Sequence, residues 1–177
     1  KLHPLESQDA VPGYHTHGRR GDALQERYLA RLAALAAAEG HREIHLLGQI
    51  VNHYVAPDRP GCDFAGLLEL VHAVEGVERI RFASPHPRHV TDRMVAVMRA
   101  LPKVCRHLHL PVQSGSTSVL TRMRRRHTRD DYLKLVDRLR TAMPDIALST
   151  DMIVGFPGET QEQFEETLSL TETVRYH

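Results

Sequence analysis

Apolar residues along this chain fall into two alternating rhythms. Short apolar runs of strand length recur at 43–47, 78–83, 106–110 and 146–154, and each leads into a loop rich in Gly, Pro and small polar residues. Behind each loop the apolar positions take up three-and-four spacing, the mark of a helix with one buried face. The first helix is expected over 22–39, capped by Asp22 with Gln25 three residues on, stopped by Gly40, and burying Leu24, Tyr28, Leu32 and Leu35. A second over 64–75 carries Phe64, Leu67, Leu68, Val71 and Val74 and ends at Gly76. In strand 78–83, Ile80 and Phe82 alternate with Arg79 and Arg81. Thr91 caps a third helix with Met94, Val95, Met98 and Leu101 inward, closed by Pro102. A short helix over 117–123 precedes one over 130–143, where Thr128 and Asp131 make a capping box and Tyr132, Leu135, Val136, Leu139 and Met143 face the core. Pro144 breaks it, and Thr160 with Gln163 caps the last helix, with Phe164, Leu168 and Thr171 inward.

Four strand–helix units after an initial helix predict an α/β fold with parallel strands, outer helices and right-handed crossovers. The pattern fits a partial (β/α) TIM-like barrel, lacking a leading strand and carboxyl-terminal units, better than a complete one. Residues 1–21, with Pro4, Pro12, Gly13, Gly18 and Gly21 and no apolar period, read as an irregular amino-terminal arm; 22–177 read as the domain. In such folds the chemistry gathers at the carboxyl ends of the strands, where the loops meet.

Composition narrows this little. A net charge of +1 over 177 residues makes no strong claim on nucleic acid by itself. The longest fully apolar run, Leu32 to Ala38, is far too short to span a membrane, and the first residues, K-L-H-P-L-E-S-Q, show no apolar signal segment. Two cysteines, Cys62 and Cys105, are too few for a disulfide framework, so a reduced cytoplasmic setting is the expectation. Thirteen histidines call for a test against metal binding.

Four segments carry candidate chemistry. In 149–160, Gly155 and Gly158 bracket Phe156-Pro157, where glycine admits a close backbone approach and a helix amino-terminus follows; a tight, capped turn is the structural alternative. Asp151 lies inside an apolar strand and needs a partner. In 107–118, Gln113, Ser114, Ser116 and Thr117 crowd around Gly115, suited to a ribose or carboxylate or to a solvated turn. His107 and His109 share a strand face and form an H-x-H pair that suits zinc, with His86 and Asp151 as conceivable additional ligands and His15 and His17 as a second pair; a packed or hydrogen-bonded histidine is the commoner case. Residues 122–129 hold five arginines, a solvated surface or a phosphate-binding run.

Read in order, L-L-G-Q-x-V-N-x-Y (46–54), R-F-A-S-P-H-P (81–87), H-L-H-L-P-V-Q-S-G-S (107–116), M-R-R-R-H-T (123–128) and S-T-D-M-I-V-G-F-P-G-E-T (149–160) closely resemble the central domain of the radical S-adenosylmethionine methylthiotransferases. Among these, the chain is most similar to the tRNA enzymes that methylthiolate isopentenyladenosine beside the anticodon. The resemblance runs over about 22–177 and is shared in part by the sibling family that modifies a ribosomal protein. It implies a partial barrel, S-adenosylmethionine across the strand ends beside a 4Fe–4S cluster, radical sulfur insertion, tRNA as partner, and no membrane. It places Gln49 and Asn52 near the methionine end of the cofactor, with Ser84 and His86 on the next strand's loop. Gln113, Ser114 and Ser116 would meet the ribose or carboxylate; Asp151, Ile153, Gly155 and Phe156 would border the adenosine. Arg125 would face cofactor or substrate.

The chain departs from that family at two points. Where the family holds its cluster with C-x-x-x-C-x-x-C before the first helix, this sequence reads V-P-G-Y-H-T-H-G-R-R-G-D, and the second Asn of the L-L-G-Q motif is Ile50. Cluster irons need thiolate ligands. A truncated or replaced start is therefore expected, with no methylthiotransferase activity from the chain as given. Two other readings stay open: a cluster-free nucleotide- or RNA-binding scaffold, and a metal-dependent barrel hydrolase. Anaerobic reconstitution with iron and sulfide is expected to leave no stable 4Fe–4S absorption; a persistent cluster spectrum overturns that expectation.

Overall fold

The computed structural model describes residues 25–56 and 61–177. The arm 1–21, Asp22, Leu24, the Tyr28 side chain and the His15/His17 pair lie outside the described residues. Four strands, β1 (Glu43–Leu46), β2 (Arg79–Phe82), β3 (His107–His109) and β4 (Ala147–Ser149), are all parallel where they pair. β1 pairs with β2, with Glu43 opposite Arg79 and Leu46 opposite Phe82; β3 pairs with β4, with His107 opposite Ala147 and His109 opposite Ser149. A single bridge, Ile80 to Val104, joins the two pairs: the Ile80 N–H donates to the Lys103 carbonyl (2.7 Å), and the Cys105 N–H to that of Ile80 (3.0 Å). Among the described residues β4 does not return to β1, so the sheet is an open arc rather than a closed barrel.

The helices are α1 (Gln25–Ala38), α2 (Phe64–His72), α3 (Asp92–Ala100), α4 (Thr117–Arg122), α5 (Arg129–Ala142) and α6 (Gln161–Val174). Their starts follow the sequence closely because the caps are local. Asp63 accepts from the Gly66 N–H, Thr91 from Met94, Thr128 from Asp131 and Thr160 from Gln163, the last two as complete capping boxes. Between sheet and helices lies one apolar layer. Ile80, Phe82, Leu108 and Leu148 point outward from the sheet onto Phe64, Leu68, Val71, Met94, Met98, Leu139 and Met143. Phe64 meets Phe82 edge-on at 5.0 Å.

The opposite, concave face of the arc is polar. Glu43 accepts from Arg79 and His45 at 2.6 Å each and lies 3.3 Å from Arg81; the Arg79 bond, foremost, holds its carboxyl down at about 2. Further along, His107 Nε2 and His109 Nδ1 both reach Ser149 Oγ (3.2 and 3.0 Å), and His109 Nε2 reaches Asp151 (3.1 Å). The interior of the arc is thus a charged ladder satisfied across strands.

Three expectations need correction. Strand 146–154 is regular only over Ala147–Ser149, because Thr150 inserts its hydroxyl into the ladder, accepting from the Val112 N–H and donating to the Leu110 carbonyl (2.9 Å each). Pairing resumes at the Gln113–Met152 bridge. In α1, Leu35 is 54% exposed and Leu32 half-buried; Ala33 and Ala36 are buried instead, with Leu29 and Ala37 packed on the core. A small-residue face lets α1 close onto the turn at Gly76, where a Cβ would stand 3.2 Å from that of Ala37. In α6, Thr167, Leu170 and Val174 are buried, while Leu168 is exposed and Phe164 and Thr171 are half-buried.

Gly115 sets that rotation. A Cβ at Gly115 would sit 2.5 Å from Thr167 Cα and closer still to the Glu166 carbonyl. Only glycine lets the β3 loop touch the helix backbone, where the Gly115 N–H donates to Thr167 Oγ1 at 2.9 Å. Gly115→Ala is expected to destabilise the fold by about 3 kcal/mol, read as a lower urea midpoint with unchanged m-value; a shift within error of zero would contradict the contact.

Candidate cofactor-binding rim

All four strand ends open onto one rim, built from the described segments 47–56, 83–91, 110–128 and 150–160. Its first two loops are tied by one side chain. Asn52, buried in the 3-10 turn Val51–His53, donates Nδ2–H to the His86 carbonyl (3.0 Å) and accepts the His86 N–H on Oδ1 (2.8 Å). The amide thus replaces a strand neighbour. The Val51 N–H also reaches the Ser84 carbonyl at 3.3 Å. Gln49 is exposed on the turn before it.

Three successive strand ends turn through a left-handed residue: Ser84 (φ 59°), Gln113 (φ 77°) and Gly155 (φ 71°). For the two non-glycines this conformation costs of order 1–3 kcal/mol each, and such strain gathers at ligand clamps. Ser84 is exposed; Gln113 is half-buried, and its N–H and carbonyl bridge to Asp151 and Ile153 (3.0 and 2.8 Å). Behind it, Ser114 and Ser116 are fully buried. Ser114 Oγ accepts the Ser116 N–H (3.1 Å) and pairs with Thr167 Oγ1 (3.3 Å), while Ser116 Oγ pairs with Ser118 (3.1 Å).

On the β4 side, Asp151 is exposed beside His109, Ile153 is 44% exposed, and Phe156 is half-buried. A Cβ at Gly155 would meet nothing within 4 Å, so its left-handed backbone rather than crowding calls for glycine there. The turn is held by Glu159, which sequence reading passed over: its Oε2 accepts from the Gly155 and Phe156 N–H groups (2.6 and 3.3 Å), while its Oε1 is buried without a partner. The only sequence signal was its distance of four residues from Gly155. Leu47, Ile50 and Val154 add exposed apolar surface at the strand ends.

Histidines gather at the β2 end. The rings of His53 and His89 stand 4.3 Å apart, His89 and His86 5.7 Å, His86 and His127 5.8 Å. His86 Nδ1 accepts the Arg88 N–H (3.2 Å), which leaves the ring proton on Nε2. Burial, then the charges of His127 and Arg125, push His86 down to about 4; burial likewise lowers His89 and His127. His127 is 8% exposed and both its ring nitrogens lack a hydrogen-bond partner, although the Val112 carbonyl lies near enough to offset part of that lowering. Arg125 is half-buried beside this pair. Among the described residues no three His, Cys, Asp or Glu side chains converge as a metal site, and His107 and His109 are engaged with Ser149.

Residues 10–171 match the family model of the radical SAM superfamily. The chain belongs to the radical SAM superfamily. It is 48% identical over 162 residues to a tRNA-2-methylthio-N(6)-dimethylallyladenosine synthase of Caldicellulosiruptor saccharolyticus, and equally so to that of a Thermoanaerobacter species; each match covers 92% of this chain and 34% of the relative. A synthase of the same name from Pelobacter propionicus is 48% identical over 166 residues, 94% of this chain and 36% of its own. The chain therefore spans about a third of the length of the curated relatives it matches.

The two ligands of a radical SAM protein fare differently against these residues. The rim offers what an amphiphilic nucleoside needs: exposed apolar side chains at Ile153 and Val154, a carboxylate at Asp151 and open backbone at Gly155. A 4Fe–4S cluster does not fit the 177 residues. It is held by cysteine thiolates, and the chain has two, Cys62 buried before α2 and Cys105 half-buried ahead of β3.

The histidine cluster has a stability consequence. Imidazoles held below their ordinary value of about 6.5 bind fewer protons folded than unfolded, so their contribution is complete above pH ~6.5 and is lost as pH falls toward about 4. Urea unfolding is expected to show stability falling through that window, above the range where Glu43, Asp131 and Asp145 would titrate. His127→Phe should flatten the fall; an unchanged slope would remove His127 from the explanation.

Proposed function

We propose that residues 22–177 form the S-adenosylmethionine-binding (β/α) domain of a tRNA methylthiotransferase acting on isopentenyladenosine beside the anticodon, with 1–21 an arm outside it. The observation that supports this reading most is convergence: segments far apart in sequence, at 49–52, 84–86, 113–116 and 151–156, belong to the four strand-end loops of one parallel arc. Ile153, Gly155 and Phe156 border the adenosine, Asp151 serves the ribose, and Gln113 and Ser84 present polar groups from their strained turns. Gln49 and His86 face the methionine end, and Arg125 the substrate. Asn52, Ser114 and Ser116 take a supporting part, because their polar atoms are committed to loop backbone and to Thr167. A cytoplasmic setting goes with a sequence that carries only two cysteines.

In this reading the thiolates that would hold a cluster come from outside these 177 residues, and such a cluster would supply reducing power. The chain's own residues bind and orient the nucleoside and shield it from water. The cysteine count favours a second reading, a rim that binds the nucleoside without cleaving it. Equilibrium dialysis with labelled S-adenosylmethionine tests what the two share. Binding should weaken about tenfold or more for Ile153→Glu, which sets a charge that a bound nucleoside would have to desolvate, without touching the core, and should hold for Leu168→Glu on α6. Equal binding by both variants would overturn the rim assignment. Cluster uptake only in a longer protein carrying additional cysteines would separate the two readings.

A further inference from the structure

The arginines of this chain sort into two kinds. Arg79, Arg81, Arg93, Arg106 and Arg138 are ion-paired. In the run 122–129 the outer two are also committed: Arg122 donates to the Gly158 carbonyl and Gln163 (3.1 and 3.0 Å), and Arg129 to the Gly115 and Glu166 carbonyls and Ser169. The central three, Arg124, Arg125 and Arg126, have no carboxylate or carbonyl partner among the described residues, and neither does the Arg88 guanidinium. Asp131, an acid that acts on His127, is turned back into its own capping box. Arg124 sits in left-handed backbone (φ 56°), which turns the chain sharply between Arg122 and His127. Arg88 and Arg125 both act on His86 and so bound one patch.

We propose that this patch is a docking surface for the phosphate backbone of an RNA strand at the edge of the rim. The inference rests on the RNA-modifying reading above and deepens it by naming the contact. Arg88 and Arg125 beside the imidazoles, with Arg124 and Arg126 flanking Arg125 in the chain and likewise without an acid partner among the described residues, disfavour a cation and favour a polyanion. His86 contributes a neutral Nε2–H donor between two of them, and the exposed His53 ring, tilted against His89 at 4.3 Å, ends the row with a flat face of the kind unpaired bases stack on. An acidic protein would match the charge but not the ring faces, and the relatives' own name specifies tRNA.

The test is the salt dependence of binding, by fluorescence anisotropy, of a short 5′-labelled single-stranded RNA to the chain. Each phosphate neutralised contributes about −0.7 to the slope of log K against log salt. Arg88→Gln/Arg124→Gln/Arg126→Gln is expected to reduce the slope by about two and the affinity at low salt by about tenfold or more. The same three positions changed to Lys should keep the slope. Thermal melts check the fold, which should be unaffected because these guanidinia hold nothing in place. A Gln variant that binds RNA with the wild-type slope while wild type binds S-adenosylmethionine overturns this inference and leaves the rim reading standing. Displacement of RNA by millimolar inorganic phosphate, at equal ionic strength, makes the patch a free-oxyanion site and overturns it. Equal binding of a poly-glutamate peptide overturns the choice of RNA.

Discussion

The rim depends on one contact without a side chain on one of its partners: Gly115 lying against the backbone of α6. It brings the loop after β3 within hydrogen-bond distance of Thr167, whose hydroxyl takes the Gly115 N–H and pairs with Ser114. Arg129, entering α5, fastens the same junction through the Gly115 and Glu166 carbonyls. Three elements from different parts of the chain thereby fix Gln113 in its left-handed turn, from which it bridges to the β4 loop. With any other residue at 115, α6 would have to move away and the bridge would lose its support.

Elsewhere on the rim, polar side chains stand in for backbone. The Asn52 amide plays the part of a neighbouring strand to His86, Thr150 interrupts and replaces ladder bonds at the end of β4, and Glu159 occupies the two N–H groups that open the Gly155 turn. Loops leaving a parallel sheet need partners for backbone groups the ladder no longer satisfies. Here those partners come from within the loops, so the rim is shaped before any ligand arrives. The Ser84 and Gln113 side chains are left over, while the Asp151 carboxylate is already engaged with His109.

Charge is divided along the same lines. On the concave face Glu43 gathers Arg79, Arg81 and His45 across two strands, so the arginines there face a carboxylate. At the β2 end the imidazoles are held neutral by burial and by flanking guanidinia with no acid to answer them. The whole-chain charge of +1 conceals this division, because the sum cannot show which arginines are already spoken for.

Element identity and order were legible in the sequence because their causes are local. The Thr128 and Thr160 capping boxes, the stops at Gly76 and Pro144, and the alternation at Ile80 and Phe82 act over a few residues. The motifs also marked the strand ends, since glycine, proline and small polar residues collect where a parallel strand must turn. Rotation of helices about their axes was not legible. Leu35 and Leu168 obey the apolar spacing yet face solvent, because Ala37 against Gly76 and Thr167 against Gly115 fix which face approaches, and close approach selects small residues over large ones. Nor was the division of labour among polar residues. Ser114 and Ser116 look like ligand groups and are buried struts; Glu159 looks like a surface acid and holds a turn; Arg122 and Arg124 differ only in what tertiary packing sets beside them. The sequence by itself determined which elements form and where they turn, through interactions within a few residues. Tertiary structure alone decided which polar atoms remain free, because that depends on partners brought from distant parts of the chain, as Thr167 is to Ser114.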